Sequence, residues 1–107
     1  MKLTIEMKAR PEKTQELHQA LQALLPSIRR KKGCRDCRVW RDVEDGETFF
    51  LAVDWNARTS LEAFMMSESG GALLGAIDLL SETARVRLGN NKSWEGTDNL
   101  KKMRKKA

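Results

Sequence analysis

The sequence is poor in several residue types that often mark a function. It holds no tyrosine, one histidine, two cysteines and two prolines among 107 residues. It also lacks an apolar run of about 18 residues, so no membrane-spanning helix is expected. The first nine residues alternate polar and apolar side chains and do not form the apolar stretch of a secretory signal. We therefore expect a cytoplasmic protein with no membrane partner.

The two cysteines, Cys34 and Cys37, form a CxxC pair. A structural zinc site needs about four ligands, but the chain has a single histidine, His18, and no second cysteine pair. A redox CxxC opens a helix, where the pKa of the thiol is lowered. Here the pair enters a predicted strand, which is expected to turn the two thiols to opposite faces of the sheet. We therefore expect neither a metal site nor a redox centre.

The excess positive charge is confined to the C-terminal end of the sequence. The formal net charge is +5, yet residues 1–99 contain as many acidic as basic side chains, and the excess falls in residues 100–107. A globular nucleic-acid-binding domain usually carries a basic face on its body, so nucleic acid is not expected as a partner. We expect a folded domain over residues 1–89 and a polar, basic, solvated tail over residues 90–107. A loose contact of this tail with nucleic acid or with an anionic surface stays open.

Hydrophobic periodicity divides the first 88 residues into strands and helices. Alternating side chains predict four strands, over residues 2–9, 36–43, 47–55 and 83–88. An apolar stripe at helical spacing predicts a helix between the first two strands. A second helical region follows the Thr59–Glu62 capping box and is interrupted at Gly70 and Gly71. This order predicts an α+β, ferredoxin-like β-α-β-β-α-β fold with a four-stranded antiparallel sheet and both helices on one face.

The predicted sheet has two different faces. One is apolar and is expected to lie under the helices. The other mixes aromatic side chains with charges of both signs, which is typical of a contact surface rather than of a fully solvated face. We expect two copies to pair through this face as a homodimer. The predicted interface residues are Glu6, Arg38, Trp40, Phe50, Asp54, Arg85 and Arg87.

Several short segments, in this order and spacing, resemble the antibiotic biosynthesis monooxygenase family of dimeric α+β barrels. They are the first strand leading into ARPEKTQEL at 9–17, KKGC at 31–34, VWRDVED at 39–45, FLAVDW at 50–55 and SLEAFMMS at 60–67. The resemblance covers roughly residues 2–89. It implies a dimeric α+β barrel with a ligand pocket in each monomer, between the helices and the sheet.

The resemblance also indicates which chemistry the chain is equipped for. Haem-degrading members carry an Asn on the first strand, a Trp in the second helix and a His about ten residues later. This chain has no Asn on that strand, and Phe64 and Leu74 stand at the other two positions. Cofactor-free oxygenases of the family carry a Trp at the end of the third strand, which Trp55 matches. No cofactor is therefore expected.

Cofactor-free oxygenation requires an apolar pocket, a base and a polar group for the developing oxyanion. We expect a cofactor-independent monooxygenase of small phenolic, quinol or enolic metabolites, with Trp55 and the lone imidazole of His18 as its catalytic candidates. The predicted substrate-binding residues are Met7, Leu51, Phe64, Met65 and Leu74. The alternative is a non-enzymatic dimeric protein of the same fold that binds a small aromatic or enolic ligand.

Overall fold

The structure is a computed structural model and describes residues 1–105. In chain order its elements are β1 (Lys2–Ala9), α1 (Thr14–Arg29), β2 (Cys34–Arg41), β3 (Thr48–Trp55), α2 (Arg58–Met66), α3 (Glu68–Leu80), β4 (Ser81–Leu88) and α4 (Asp98–Lys105). Among these residues no single helix is long and apolar enough to cross a membrane. Only α2 and α3 taken together, bent by 75° at their junction, reach such a length and composition.

The four strands form one antiparallel sheet in the order β2-β3-β1-β4. The predicted ferredoxin-like α+β fold is confirmed. On the face under the helices, apolar side chains from all four strands are buried, and Leu3, Ile5 and Met7 of β1, one of the two central strands, are fully inaccessible. The opposite face, which we call the open face, carries Trp40 and Phe50 together with charged side chains, as the alternation predicts.

The break between α2 and α3 lies at Ser67, three residues before the predicted interruption at Gly70 and Gly71. The Ser67 side chain caps α3 by accepting a hydrogen bond from the Gly70 amide at 3.2 Å. Gly70 is buried against the end of α2. The glycines therefore permit the two helices to pack closely after the break, but they do not cause the break.

A β-bulge in β2 overturns the expectation that Cys34 and Cys37 face opposite sides of the sheet. The register shifts between Cys34 and Asp36, so that Cys34 pairs with Trp55 and Cys37 pairs with Val53. Because Trp55 and Val53 share one face of β3, both cysteines are on the helix-covered face. The extra residue of a bulge reverses the alternation, and the sequence pattern alone gave no sign of it.

The expectation of a solvated tail is wrong for much of residues 90–105. Glu95 forms an antiparallel bridge with Val86 at the edge of β4, with both backbone hydrogen bonds at 2.7 Å. Helix α4 then packs on α2 and buries Leu100 and Met103. The guanidinium of Arg104 donates to the carbonyl oxygens of Met65 at 2.9 Å and Ser67 at 2.7 Å. Residues 106 and 107 of the predicted tail lie outside the described residues.

Candidate functional site

The pocket predicted between the helices and the sheet is filled by its own side chains. Met7, Leu51, Trp55, Phe64 and Met65 are at most 1% exposed, and Leu74 is 7% exposed. The rings of Trp55 and Phe64 lie 5.2 Å apart. The structure brings these six residues together as one packed cluster, and the substrate-binding roles predicted for the five other than Trp55 stay predictions.

Trp55 has one unusual feature within this cluster. Its indole Nε1 is buried and has no hydrogen-bond partner among the described residues. A buried N–H without a partner costs free energy, because it has lost its hydrogen bonds to water. The catalytic role predicted for Trp55 stays a prediction, and in this conformation its ring is part of the core.

An open cleft lies elsewhere, where α1 crosses the end of the β2–β3 hairpin. Its volume is about 210 Å³. We call it the α1 cleft, and its lining residues are His18, Gln22, Leu25, Val39, Trp40, Arg41 and Phe49. Three of them come from α1 at positions i, i+4 and i+7, which places them on one side of the helix. The others come from the ends of β2 and β3. The α1 cleft is therefore mostly apolar, with a few polar groups.

His18 is the one predicted catalytic residue that lines the α1 cleft. It follows the buried Leu17 on α1, and its ring meets the Phe49 ring edge-on with 6.0 Å between the centroids. Nδ1 is buried and has no hydrogen-bond partner among residues 1–105. Nε2 is therefore the ring nitrogen left to face the cleft. A buried lone pair is tolerated better than a buried N–H, which favours the tautomer that carries the proton on Nε2.

The two predicted catalytic residues are not brought together. His18 contacts Phe49 near the start of β3, whereas Trp55 is the last residue of that strand. Six residues of extended chain separate these two positions, which corresponds to about 20 Å. A single small substrate cannot contact both side chains in this conformation.

Sequence reasoning missed most of the cleft. Gln22, Leu25, Val39, Arg41 and Phe49 were not among the predicted site residues. A signal was available, because Val39 and Arg41 alternate toward the helix-covered face while His18, Gln22 and Leu25 repeat at helical spacing. Combining the two patterns requires knowing that α1 lies over β2. This placement follows from the order of the strands in the sheet.

The open face carries the residues predicted for the dimer interface. Trp40 is 46% exposed and stacks on Phe50, with 6.0 Å between the ring centroids. Within one chain, Glu6 forms an ion pair with Arg85, and Asp54 lies 3.7 Å from the N-terminal ammonium group.

Arg38 and Trp94 also lie on the open face. Arg38 pairs with Asp36 at 3.0 Å. Trp94 was missed by the sequence analysis, and its ring lies 4.5 Å from Arg85 and 4.6 Å from Arg87, measured from each guanidinium carbon to the centroid. The predicted interface residues thus form a continuous surface, which Trp94 extends.

The cysteine pair has the electrostatics of structural thiols. Burial raises the pKa of Cys37 to about 12, and the neighbouring Cys34 adds to this shift. Burial also raises the pKa of Cys34. Reactive cysteines are those whose pKa is lowered, so neither thiol has the character of a nucleophile.

The fold and the open cleft define a ferredoxin-like α+β protein with one sheet face that the helices do not cover and a small apolar site beneath its first helix. The family model described as antibiotic biosynthesis monooxygenase matches residues 1–72. The chain therefore belongs to the antibiotic biosynthesis monooxygenase family. No curated protein matches the sequence.

Solved crystal structures share this fold at low sequence identity. PA3566 from Pseudomonas aeruginosa has a TM-score of 0.74 at 22% identity, over 82% of this chain and 93% of that one. A conserved protein from Methanosarcina mazei Go1 has a TM-score of 0.77 at 18% identity, over 85% and 91% of the two chains. An antibiotic biosynthesis monooxygenase has a TM-score of 0.76 at 18% identity, over 86% and 98%. At these identities the likeness establishes the fold alone.

Proposed function

We propose that this chain is a cofactor-independent monooxygenase of small phenolic, quinol or enolic metabolites, and that its substrate binds in the α1 cleft. The observation that carries the proposal is the position of His18, whose ring lines an open apolar cleft. Family membership supports the reaction class. The cleft volume of about 210 Å³ is smaller than the roughly 300–1,000 Å³ of sites for drug-sized ligands, which favours a substrate with one ring.

His18 serves in this proposal as a hydrogen-bond donor. Action as a base at Nε2 would require a proton on the buried Nδ1, where an unpaired N–H costs about 1–3 kcal/mol. With the proton on Nε2, the imidazole instead donates to the substrate oxygen and stabilises the phenolate or enolate. The proton that the substrate loses passes to water at the open mouth of the cleft.

The reaction balances without a cofactor because the substrate supplies all four electrons that reduce the two atoms of O2. The phenolate or enolate transfers electron density to O2, and a C–O bond forms at a ring carbon that bears hydrogen. The resulting hydroperoxide loses water and leaves a carbonyl group. One oxygen atom therefore enters the product, the other leaves as water, and a phenol becomes a quinone. The apolar wall formed by Leu25, Val39 and Phe49 keeps water from the reacting carbon.

Oxygen uptake with a panel of one-ring phenols and hydroquinones tests this proposal. With 18O2, one labelled oxygen is expected in the quinone and one in water. His18→Ala should lower kcat/KM about tenfold or more, because it removes a donor to the oxyanion. His18→Gln retains a side-chain N–H and should keep most of the activity. Gln19→Ala, at an exposed position beside His18, is the matched control. Equal losses for Ala and Gln would overturn the donor role.

A non-enzymatic binding protein is the second candidate, and the filled pocket around Trp55 and Phe64 is the observation that favours it. Binding and turnover separate the two functions. If one-ring ligands bind in the α1 cleft while no compound in the panel consumes oxygen above the buffer rate, the monooxygenase proposal is wrong and the binding protein stands.

We also propose that the protein works as a homodimer paired through the open face. The exposed Trp40–Phe50 stack supports this, since a large aromatic surface on a sheet face is typical of an interface. A cytoplasmic location is proposed with it, and the free thiols Cys34 and Cys37 support a reducing compartment.

A further inference from the structure

Arg41 is held in one orientation at the rim of the α1 cleft. It is the last residue of β2 and pairs with Phe49 in the sheet register. Its guanidinium carbon lies 5.1 Å from the centre of the Phe49 ring, and its Nε donates to the carbonyl oxygen of Gly46. A stacking contact and a hydrogen bond together fix the plane of the group.

The terminal amino groups of Arg41 have no acceptor among the described residues. Its hydrogen bond to Gly46 uses Nε, and the ion pairs within residues 1–105 do not include it. The carboxylates of Asp42 and Asp45 accept hydrogen bonds within the turn between β2 and β3. Asp42 accepts the amides of Glu44 at 2.8 Å and Asp45 at 3.0 Å. Asp45 in turn accepts from Thr48 and Glu47. An oriented guanidinium with free Nη donors is therefore available to a ligand.

Phe49 connects this guanidinium to His18. The guanidinium carbon of Arg41 lies 5.1 Å from the centre of the Phe49 ring. The His18 ring meets the same ring edge-on, with 6.0 Å between the centroids. Both donors thus lie around one aromatic surface, and Leu25 and Val39 complete the apolar wall. A planar ring placed against this wall can present one oxygen to His18 and a second polar group to Arg41. Guanidinium groups bind carboxylates through two parallel hydrogen bonds, which a hydroxyl group cannot accept.

We propose that the α1 cleft selects small planar aromatic or enolic acids, with Arg41 binding the carboxylate of the ligand. This inference rests on the proposed function for its location, and it names the substrate class. Arg41 acts as a specificity-determining residue, since the carboxylate that it binds is remote from the carbon that reacts. Neutral phenols of the same ring size are expected to bind more weakly, because they leave the guanidinium without a partner.

Two ligands that differ by one carboxylate test the inference directly. Calorimetric titration without oxygen compares 2,5-dihydroxybenzoate with hydroquinone, so that binding is measured without turnover. We expect the wild type to bind the acid at least tenfold more tightly, with a preference that declines as salt is added. Arg41→Gln should bring the two affinities within about twofold of each other. Arg41→Lys should keep part of the preference, because it retains the charge without the paired donors.

Arg35→Gln is the matched control, since it removes an exposed arginine from the same strand. It should leave the preference unchanged. If the wild type binds both ligands equally, or binds neither, or if the preference survives in Arg41→Gln, the inference is wrong. Thermal unfolding checks that the variants fold. If Arg41→Gln does not fold, the test uses Arg41→Lys instead. A preference for the acid in Arg41→Lys that equals the wild-type preference would then overturn the inference.

Failure of the acid-binding inference can be distinguished from failure of the proposed monooxygenase function. An Arg41-dependent preference without oxygen uptake would support the acid-binding site and overturn the monooxygenase. Oxygen uptake that depends on His18, with no preference for the carboxylate, would support the monooxygenase and overturn the acid-binding site.

Discussion

The backbone of Gly70 lies against the carbonyl oxygen of Phe64. A β-carbon at Gly70 would fall 2.2 Å from that oxygen and 2.8 Å from the α-carbon of Met65. Both neighbours are main-chain atoms at the end of α2, so neither can move away as a flexible side chain would. The approach of α3 to α2 therefore depends on a residue without a side chain at this position.

Gly70→Ala is expected to destabilise the protein, although alanine favours helices. The clash forces α2 and α3 apart, and overpacking of this kind costs typically about 1–3 kcal/mol, occasionally more. Gly75→Ala is the matched control, because α3 also contains Gly75 and a β-carbon there meets nothing within 4 Å. That change should raise the free energy of unfolding by about 0.5–1 kcal/mol. Urea denaturation measures both, and a stable Gly70→Ala variant would contradict the packing argument.

Trp40→Lys should convert the proposed dimer into a monomer. A charge in the middle of the Trp40–Phe50 stack would have to be buried between the two copies, which is unfavourable without a partner. The molar mass measured by light scattering should be about twice the chain mass of 12.2 kDa for the wild type and should fall to the mass of one chain for the variant. Val43→Lys is the control, because Val43 is fully exposed and outside the predicted interface. A monomeric wild type would refute the homodimer proposal.

The stability of the protein should fall as the pH rises from about 9 to 12. In the unfolded chain Cys37 loses its proton near its ordinary pKa of 9.0, whereas burial keeps the thiol protonated in the folded protein until about pH 12. Across this range the folded state binds more protons, so rising pH favours the unfolded state. The chain has no tyrosine, so phenol groups do not titrate in this window.

Cys37→Ala isolates this effect, because the two proteins share all their other titratable groups. The free energy of unfolding, measured by urea denaturation at several pH values, should fall less steeply above pH 9 in the variant. Parallel curves for the two proteins would show that Cys37 does not contribute.

The strands could be predicted from the sequence because each buries one face. Leu3, Ile5 and Met7 alternate with polar residues, and a sheet covered by helices on one side requires that alternation. The bulge at Cys34 escaped prediction because an inserted residue leaves no mark on composition. Helix α4 escaped prediction because four of its eight residues are basic, which is typical of a solvated segment, and only its packing on α2 reveals that Leu100 and Met103 face inward.

The candidate site was predicted only in part. The lone imidazole drew attention to His18, but its neighbours belong to three different elements, and their contacts depend on the tertiary structure. The position of Trp55 was identified from the resemblance to a family. Whether that position is open or packed depends on how well Phe64 and Met65 fill the space around it, and pattern alone does not supply such packing.

The contact of Arg104 with the end of α2 also makes the junction of two helices dependent on a segment that is distant in the sequence. The carbonyl groups of Met65 and Ser67 receive their donor from a residue 37 or more positions later in the chain. The sheet through β4 is complete by residue 88, whereas the α2–α3 junction obtains this donor only from α4. A variant truncated after residue 97 would therefore leave both carbonyl groups without the Arg104 donor and would expose the seam between these helices.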